Sequence, residues 1–226
     1  EALTRFDDEC RPDLMFAMAI ECGMGIDLER ATLEAAVRES RHLAPGTWLS
    51  LNVSPALLAR RSDLERLLAA RIGQIVLEVT EHEAIEAYEP LRAAMLELGP
   101  RVRLAVDDAG AGVANFNHLV ELRPSIVKID VSLVRGVDAD PSRRAVVVGL
   151  IHFAAEAGCE VLAEGVETEA ERATVAELGV TLGQGYLLGR PAVAETWHVS
   201  NEPNIVRIAG FGRGSLPLGQ FVPKAS

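Results

Sequence analysis

The chain has 226 residues, 49% of them apolar but only 4% aromatic, and a formal net charge of −11. A chain of this length buries a sizeable core, and with few aromatics that core must be Leu, Val, Ile and Ala, which suits parallel strands covered by helices. The acidic balance excludes a nonspecific binder of nucleic-acid polymers, since no basic stripe is present, so an anionic ligand needs local positive charge to receive it.

Short apolar runs alternate with segments of helical spacing along the chain. Glu1–Phe6 reads as a strand, and Asp27 as the N-cap of a helix running to about Arg41. A strand over Thr47–Val53 leads to a helical stretch over Pro55–Ala70 and then to strand Gln74–Thr80. Glu81–Leu98 carries Ile85, Leu91, Met95 and Leu98 at helical spacing. Strand Arg101–Asp107, a short helix near Asn115–Leu122 and strand Ser125–Asp130 follow. Helix Pro141–Ala157 puts Ala145, Val148, Ile151 and Ala155 on one face and stops at Gly158. Strand Glu160–Glu164, helix Glu167–Leu178 and an extended segment over Val180–Leu188 complete the alternation. Residues 201–226, rich in Gly and Pro, read as a C-terminal tail or linker after a domain over residues 1–200.

Strands alternating with helices imply parallel pairing and right-handed crossovers. The expected fold is α/β, a TIM-type (β/α)8 barrel. Such barrels typically need ~250 residues, and seven readable strands leave the count one short, so a strand upstream of Glu1 is expected. A doubly wound open sheet fits less well, because it gathers functional residues at one switch point. Cys10, Cys22 and Cys159 are odd in number and lack a Cys-x-x-Cys pair, as expected of free thiols in a reducing compartment. No run reaches the ~20 apolar residues of a membrane span, and no secretory pattern opens the chain. A cytoplasmic domain without direct membrane contact is the expectation.

Val106-Asp107-Asp108-Ala109-Gly110 places two adjacent carboxylates at the end of an apolar run, directly before a turn. Neighbouring anions repel and are costly to desolvate unless something positive sits between them. Other strands also end in oxygen donors or a cation: Asn52, Glu78, Lys128, Glu164 and Gln184. In a barrel all these ends converge on one face. Oxygen donors suit a hard cation such as Mg²⁺ or Mn²⁺, and a bridging aspartate supports two ions ~3.5–4 Å apart that clamp a phosphate. Taken singly, each residue has a plainer reading. Asp-Asp before a turn is ordinarily a solvated cap, Asn52 a turn former, Lys128 a surface charge, and Glu164 with Glu167 the complement of a helix dipole. Their joint occurrence at successive strand ends is what the plainer readings handle poorly.

The chain resembles the EAL domain family, bacterial phosphodiesterases acting on cyclic di-GMP. The resemblance rests on Glu1-Ala2-Leu3-Thr4-Arg5, Asn52-Val53-Ser54, Glu78-Val79-Thr80-Glu81, Asp107-Asp108, Lys128-Ile129-Asp130, Ala163-Glu164-Gly165-Val166-Glu167-Thr168 and Gln184-Gly185-Tyr186, in that order over roughly residues 1–192. It implies a modified TIM barrel whose first strand is antiparallel. It also implies hydrolysis of cyclic di-GMP to linear pGpG by in-line attack of metal-activated water, with two Mg²⁺ or Mn²⁺ per site. Glu1, Asn52, Glu78 and Asp107 would hold the first metal, and Asp107 with Asp108 the second. Lys128 and Glu164 would position water, Arg5 would meet a phosphate and Gln184 a guanine. Glu167 would tether the loop after Asp108, and Asp130 would orient Lys128 or support the second metal. The resemblance further implies bacterial signalling and biofilm regulation, a homodimer and an upstream sensory domain.

The family reads Phe-Gly-Thr-Gly-Tyr-Ser-Ser-Leu after the aspartates, where this chain has Ala109-Gly110-Ala111-Gly112-Val113-Ala114-Asn115-Phe116. The glycines that allow the turn are kept, while an aromatic anchor and a hydroxyl are lost. In the family this loop joins the metal site to the dimer interface. The departure therefore opens a second reading, a catalytically weak EAL-like domain that acts as a cyclic di-GMP receptor or interaction module.

Overall fold

The computed structural model describes residues 1–6, 10–44, 46–80, 85, 87–110, 116–194, 196 and 206–207. Six parallel strands form a curled half-barrel: β1 (Leu49–Asn52), β2 (Ile75–Thr80), β3 (Val102–Ala109), β4 (Ile126–Ile129), β5 (Glu160–Ala163) and β6 (Leu182–Gly183). A two-residue β7 (Val206–Arg207), within the segment expected to be tail, pairs antiparallel with β6. Each parallel strand bonds to its successor in chain order. A doubly wound sheet would reverse that order at a switch point, so the sheet is wound one way, as in a barrel.

Curling brings the first and sixth strands together. Glu1 Oε1 accepts from Asn52 Nδ2 at the end of β1 (2.9 Å), and its Oε2 accepts from Gln184 Nε2 just past β6 (2.8 Å). One side chain thus links the first and sixth strands at the C-terminal mouth.

Strand periodicity of two separates the side chains into an outer and an inner set. Leu49, Leu51, Ile75, Leu77, Val79, Leu104, Val106, Val127, Ile129, Val161 and Ala163 belong to the large outer core, packed under helices α2 (Gly25–Glu39), α3 (Pro55–Leu58), α4 (Arg61–Leu68), α5 (Tyr88–Leu98), α6 (Phe116–Leu122), α7 (Val131–Val134), α8 (Pro141–Ala157) and α9 (Glu169–Leu178), while α1 (Pro12–Glu21) lies against α2 and adds nothing to this core. The inner set is layered. Arg103 pairs with Glu160 at 2.5 Å and lies 5.4 Å from the Trp48 ring centroid. Above them Val76, Ala105, Ile126, Leu162 and Leu182 make a small apolar layer. The next inward positions are Glu78, Asp107, Lys128, Glu164 and Gln184, so the charged layer sits on a dry floor.

Several elements differ from the sequence expectation. Glu1–Phe6 is not a ladder strand; a single backbone bond, Ala2 N to Ser50 O at 2.9 Å, attaches it to β1. Asp27 is not an N-cap: α2 begins at Gly25 after Met24, leaving Asp27 in its first turn, where it complements the helix dipole. The stretch Pro55–Ala70 splits because the backbone of Arg60 (φ −93°, ψ 61°) leaves the helical region. β6 is only two residues long within Val180–Leu188. The helix expected over Glu81–Leu98 begins only at Tyr88, after Ala87 in extended backbone (φ −147°, ψ 122°); residues 81–84 and 86 lie outside the described residues.

Candidate active site

Lys128, third residue of β4, is 1% exposed and sits at the centre of the charged layer. Its Nζ lies 2.7 Å from Glu164 Oε1, 2.9 Å from both Glu78 Oε2 and Asp107 Oδ2, and 3.8 Å from Glu1 Oε2. Glu78 Oε1 also accepts from the Ser50 hydroxyl. Ser50 was not singled out from the sequence, although strand parity places it on the same inner face as Asn52.

The two aspartates reach the site by a local irregularity. Strict alternation would send Asp107 and Asp108 to opposite faces. Between Val106, opposite Val127, and Ala109, opposite Ile129, β3 carries one extra residue, a bulge. Asp108 takes up the excess with a left-handed backbone (φ 57°), a conformation an aspartate tolerates better than most residues. Its N–H donates to Asp107 Oδ1 at 2.9 Å. As a result Asp107, Asp108 and Glu164 each offer an oxygen within 4.8 Å of the others. All three donors are hard oxygens, the set that Mg²⁺ and Mn²⁺ take, so the residues present fit a divalent cation.

Four carboxylates face one ammonium, and the protonation pattern follows from that imbalance. Burial works against the charged form of Lys128, but Glu78, Glu1, Glu164 and Asp107 together hold it protonated, above the ordinary lysine range. Burial raises Glu78 to about 7, the pull of Lys128 being offset by repulsion from Glu1 and Asp107. Glu164 rises to about 8 by burial, with Lys128 opposing and Asp107 and Glu1 adding repulsion. Both ordinary values are 4.5. The folded state therefore binds more protons than the unfolded state from pH 4.5 upward, and the resulting stability fades as pH rises through 7 and 8. Without metal, Tm is expected to fall between pH 6 and 8.5. Mn²⁺ should restore it at the upper end, releasing protons on binding. Scanning calorimetry with EDTA or Mn²⁺ reads both effects, and a flat metal-free profile would contradict the charge arrangement.

The remaining predicted residues divide. Asn52 and Gln184 are brought in through Glu1, and Gln184 Oε1 is buried without a hydrogen-bond partner among the described residues. The buried Asp130 carboxylate caps α7 by accepting from Ser132 N at 2.8 Å. Arg5 is exposed and donates to the Thr4 carbonyl at 2.9 Å. Glu167 pairs with Arg135. The loop it is expected to tether, Ala111–Asn115, lies outside the described residues.

The EAL domain model matches residues 1–191. The chain belongs to the EAL domain family. Among curated proteins, this EAL chain is 32% identical over 168 residues to RocR of Pseudomonas aeruginosa, named a cyclic di-GMP phosphodiesterase, covering 70% of the chain and 42% of RocR. It is 28% identical over 197 residues to the cyclic di-GMP phosphodiesterase PdeF of Escherichia coli K12, covering 82% of the chain and 26% of PdeF. The chain thus spans well under half the length of these relatives. Among solved structures, Klebsiella pneumoniae BlrP1 in complex with calcium and cyclic di-GMP superposes with a TM-score of 0.74 at 30% identity, covering 84% of this chain and 50% of that one. The barrel is therefore that of EAL domains. No helix among the described residues is long and apolar enough to cross a membrane.

Proposed function

We propose that this EAL domain is a divalent-cation-dependent phosphodiesterase that hydrolyses cyclic di-GMP to linear pGpG. The observation that carries the reading is the convergence of Asp107, Asp108 and Glu164 beside a buried, charged Lys128 at the barrel mouth. Relatives named cyclic di-GMP phosphodiesterases, and an EAL structure holding calcium with cyclic di-GMP, support it.

Two Mg²⁺ or Mn²⁺ ions held by Glu1, Asn52, Glu78, Asp107 and Asp108 would lower the pKa of water and neutralise phosphate oxygens. Lys128 keeps its proton and offsets charge developing on the phosphoryl group. Glu164, whose side chain is 17% exposed and 2.7 Å from Lys128 Nζ, would position the attacking water together with Lys128. Gln184 offers a free buried acceptor for a guanine N–H, and Arg5 meets a phosphate. Glu167 steadies the loop beyond the aspartates. The domain works in the cytoplasm, as one module of a signalling protein that also carries a sensory unit, and pairs as a homodimer in biofilm control. Residues 1–200 form the catalytic unit and 201–226 a tail that returns to its sheet through β7 (Val206–Arg207) beside β6.

Incubation of the purified protein with cyclic di-GMP and Mn²⁺, followed by ion-exchange chromatography, should yield pGpG, and EDTA should abolish it. A second reading is favoured by one feature: Ala109, 2% exposed, stands where the family carries an aromatic anchor. Folded protein that binds the nucleotide but forms no pGpG would replace the enzyme reading with a receptor reading.

A further inference from the structure

The placement of Glu164 depends on a loop held from several sides. Glu164 N donates to Ile129 O (3.1 Å), Val166 N to Gln184 O (3.0 Å), and Leu187 N to Val166 O (3.1 Å). Gly165 is left-handed (φ 62°), and a Cβ there would lie 2.3 Å from Val131 Cγ2. A Cβ on Gly185 would come within 2.2 Å of Val166 N, so the ends of β5 and β6 touch backbone to backbone.

The outer half of the loop is held by one carboxylate. Glu171 on α9 is 4% exposed. Its Oε2 accepts from Glu167 N and Thr168 N, each at 3.0 Å, and its Oε1 accepts from Gly136 N at 3.0 Å. Burial opposes its charge, but these three N–H groups keep the carboxyl below its usual range. A capping-box glutamate needs to reach only the N-cap N–H, here that of Thr168. The two further bonds reach the residue before the cap and a turn 35 residues away. That turn follows Arg135, whose guanidinium pairs with Glu167.

We propose that Glu171 is a positioning residue for the cation site: it locks the Glu164–Thr168 loop to the Arg135–Gly136 turn and so fixes Glu164 against Lys128 and the aspartates. The inference rests on the reading of Glu164 as part of that site. Residues that orient such ligands affect metal affinity or turnover by about 10–100-fold. In Glu171→Ala, calorimetric Mn²⁺ affinity should fall by at least about tenfold, with kcat falling more than KM rises. Glu171→Gln should recover part of the loss, since its amide oxygen still accepts. Val147→Ala, a core truncation on α8, should lower Tm yet keep parental Mn²⁺ affinity. Parental Mn²⁺ affinity in Glu171→Ala, folded by circular dichroism at the assay temperature, would overturn the proposal. If that variant does not fold, Glu171→Gln decides: weakened binding supports the role and parental binding overturns it. Because Mn²⁺ affinity is read without substrate, it tests Glu171 even if the parent leaves cyclic di-GMP intact, a result that would sink the enzyme reading alone.

Discussion

Lys128→Met is expected to lower the stability of the metal-free protein sharply, and divalent cations are expected to recover most of the loss. Methionine keeps the apolar stem, which is enclosed by the barrel interior among Val76, Ala105, Ile126 and Leu162. What disappears is the ammonium facing Glu1, Glu78, Asp107 and Glu164. Removing one partner of a buried ion pair costs about 3–5 kcal/mol. For a chain of this size about 1 kcal/mol shifts Tm by about 2–4 °C, so a fall of about 6–20 °C is expected in EDTA. The fall should be larger at pH 8.5 than at pH 6, because Glu78 and Glu164 hold protons at the lower pH. Mn²⁺ should narrow the gap by supplying positive charge, while hydrolysis stays low. A shift under about 2 °C in EDTA at pH 8.5 would contradict the buried charge arrangement.

Asp107→Asn should act with opposite signs on function and stability. Asp107 accepts from Lys128 through Oδ2 and from Asp108 N through Oδ1, and it belongs to the cluster with Asp108 and Glu164. Losing its charge removes a cation ligand, and cyclic di-GMP hydrolysis is expected to fall about 10³-fold, equivalent to about 4 kcal/mol. The same change relieves repulsion within a buried anionic group, so Tm in EDTA should stay level or rise. A site arranged for cations is held together against its own charge, which is the usual tension between activity and stability. Single-turnover assays and calorimetry in EDTA check both halves; near-parental hydrolysis would remove Asp107 from the site.

Much of the barrel was readable because its strands obey a strict period. β2, β3, β4 and β5 fall within a residue or two of the expected runs, and α8 matches Pro141–Ala157. The same period also encodes the inner layers, since Ile126 and Lys128, or Leu162 and Glu164, are two residues apart on one face. Other elements carry no such signal. α1 has no buried residue and exposes Leu14, Met18 and Ile20, so no apolar stripe marks it. α7 has four residues and depends on the Asp130 cap. The bulge that aims both aspartates inward is a matter of register with β4, which one strand's own pattern cannot reveal. Ser50 and Arg135 join the site through partners 28 and 32 residues away, and Glu171 reaches Gly136 across 35 residues, beyond the reach of local spacing.

The carboxylates around Lys128 are proposed to form a divalent-cation site, and the function depends on it. Anomalous diffraction from crystals of this protein grown with Mn²⁺ and cyclic di-GMP tests it most directly. Mn²⁺ peaks coordinated by Asp107 and Asp108 are expected, beside Glu164 and a Lys128 that remains buried. Bound nucleotide with no Mn²⁺ at the aspartates, or Mn²⁺ bound only elsewhere on the chain, would contradict it.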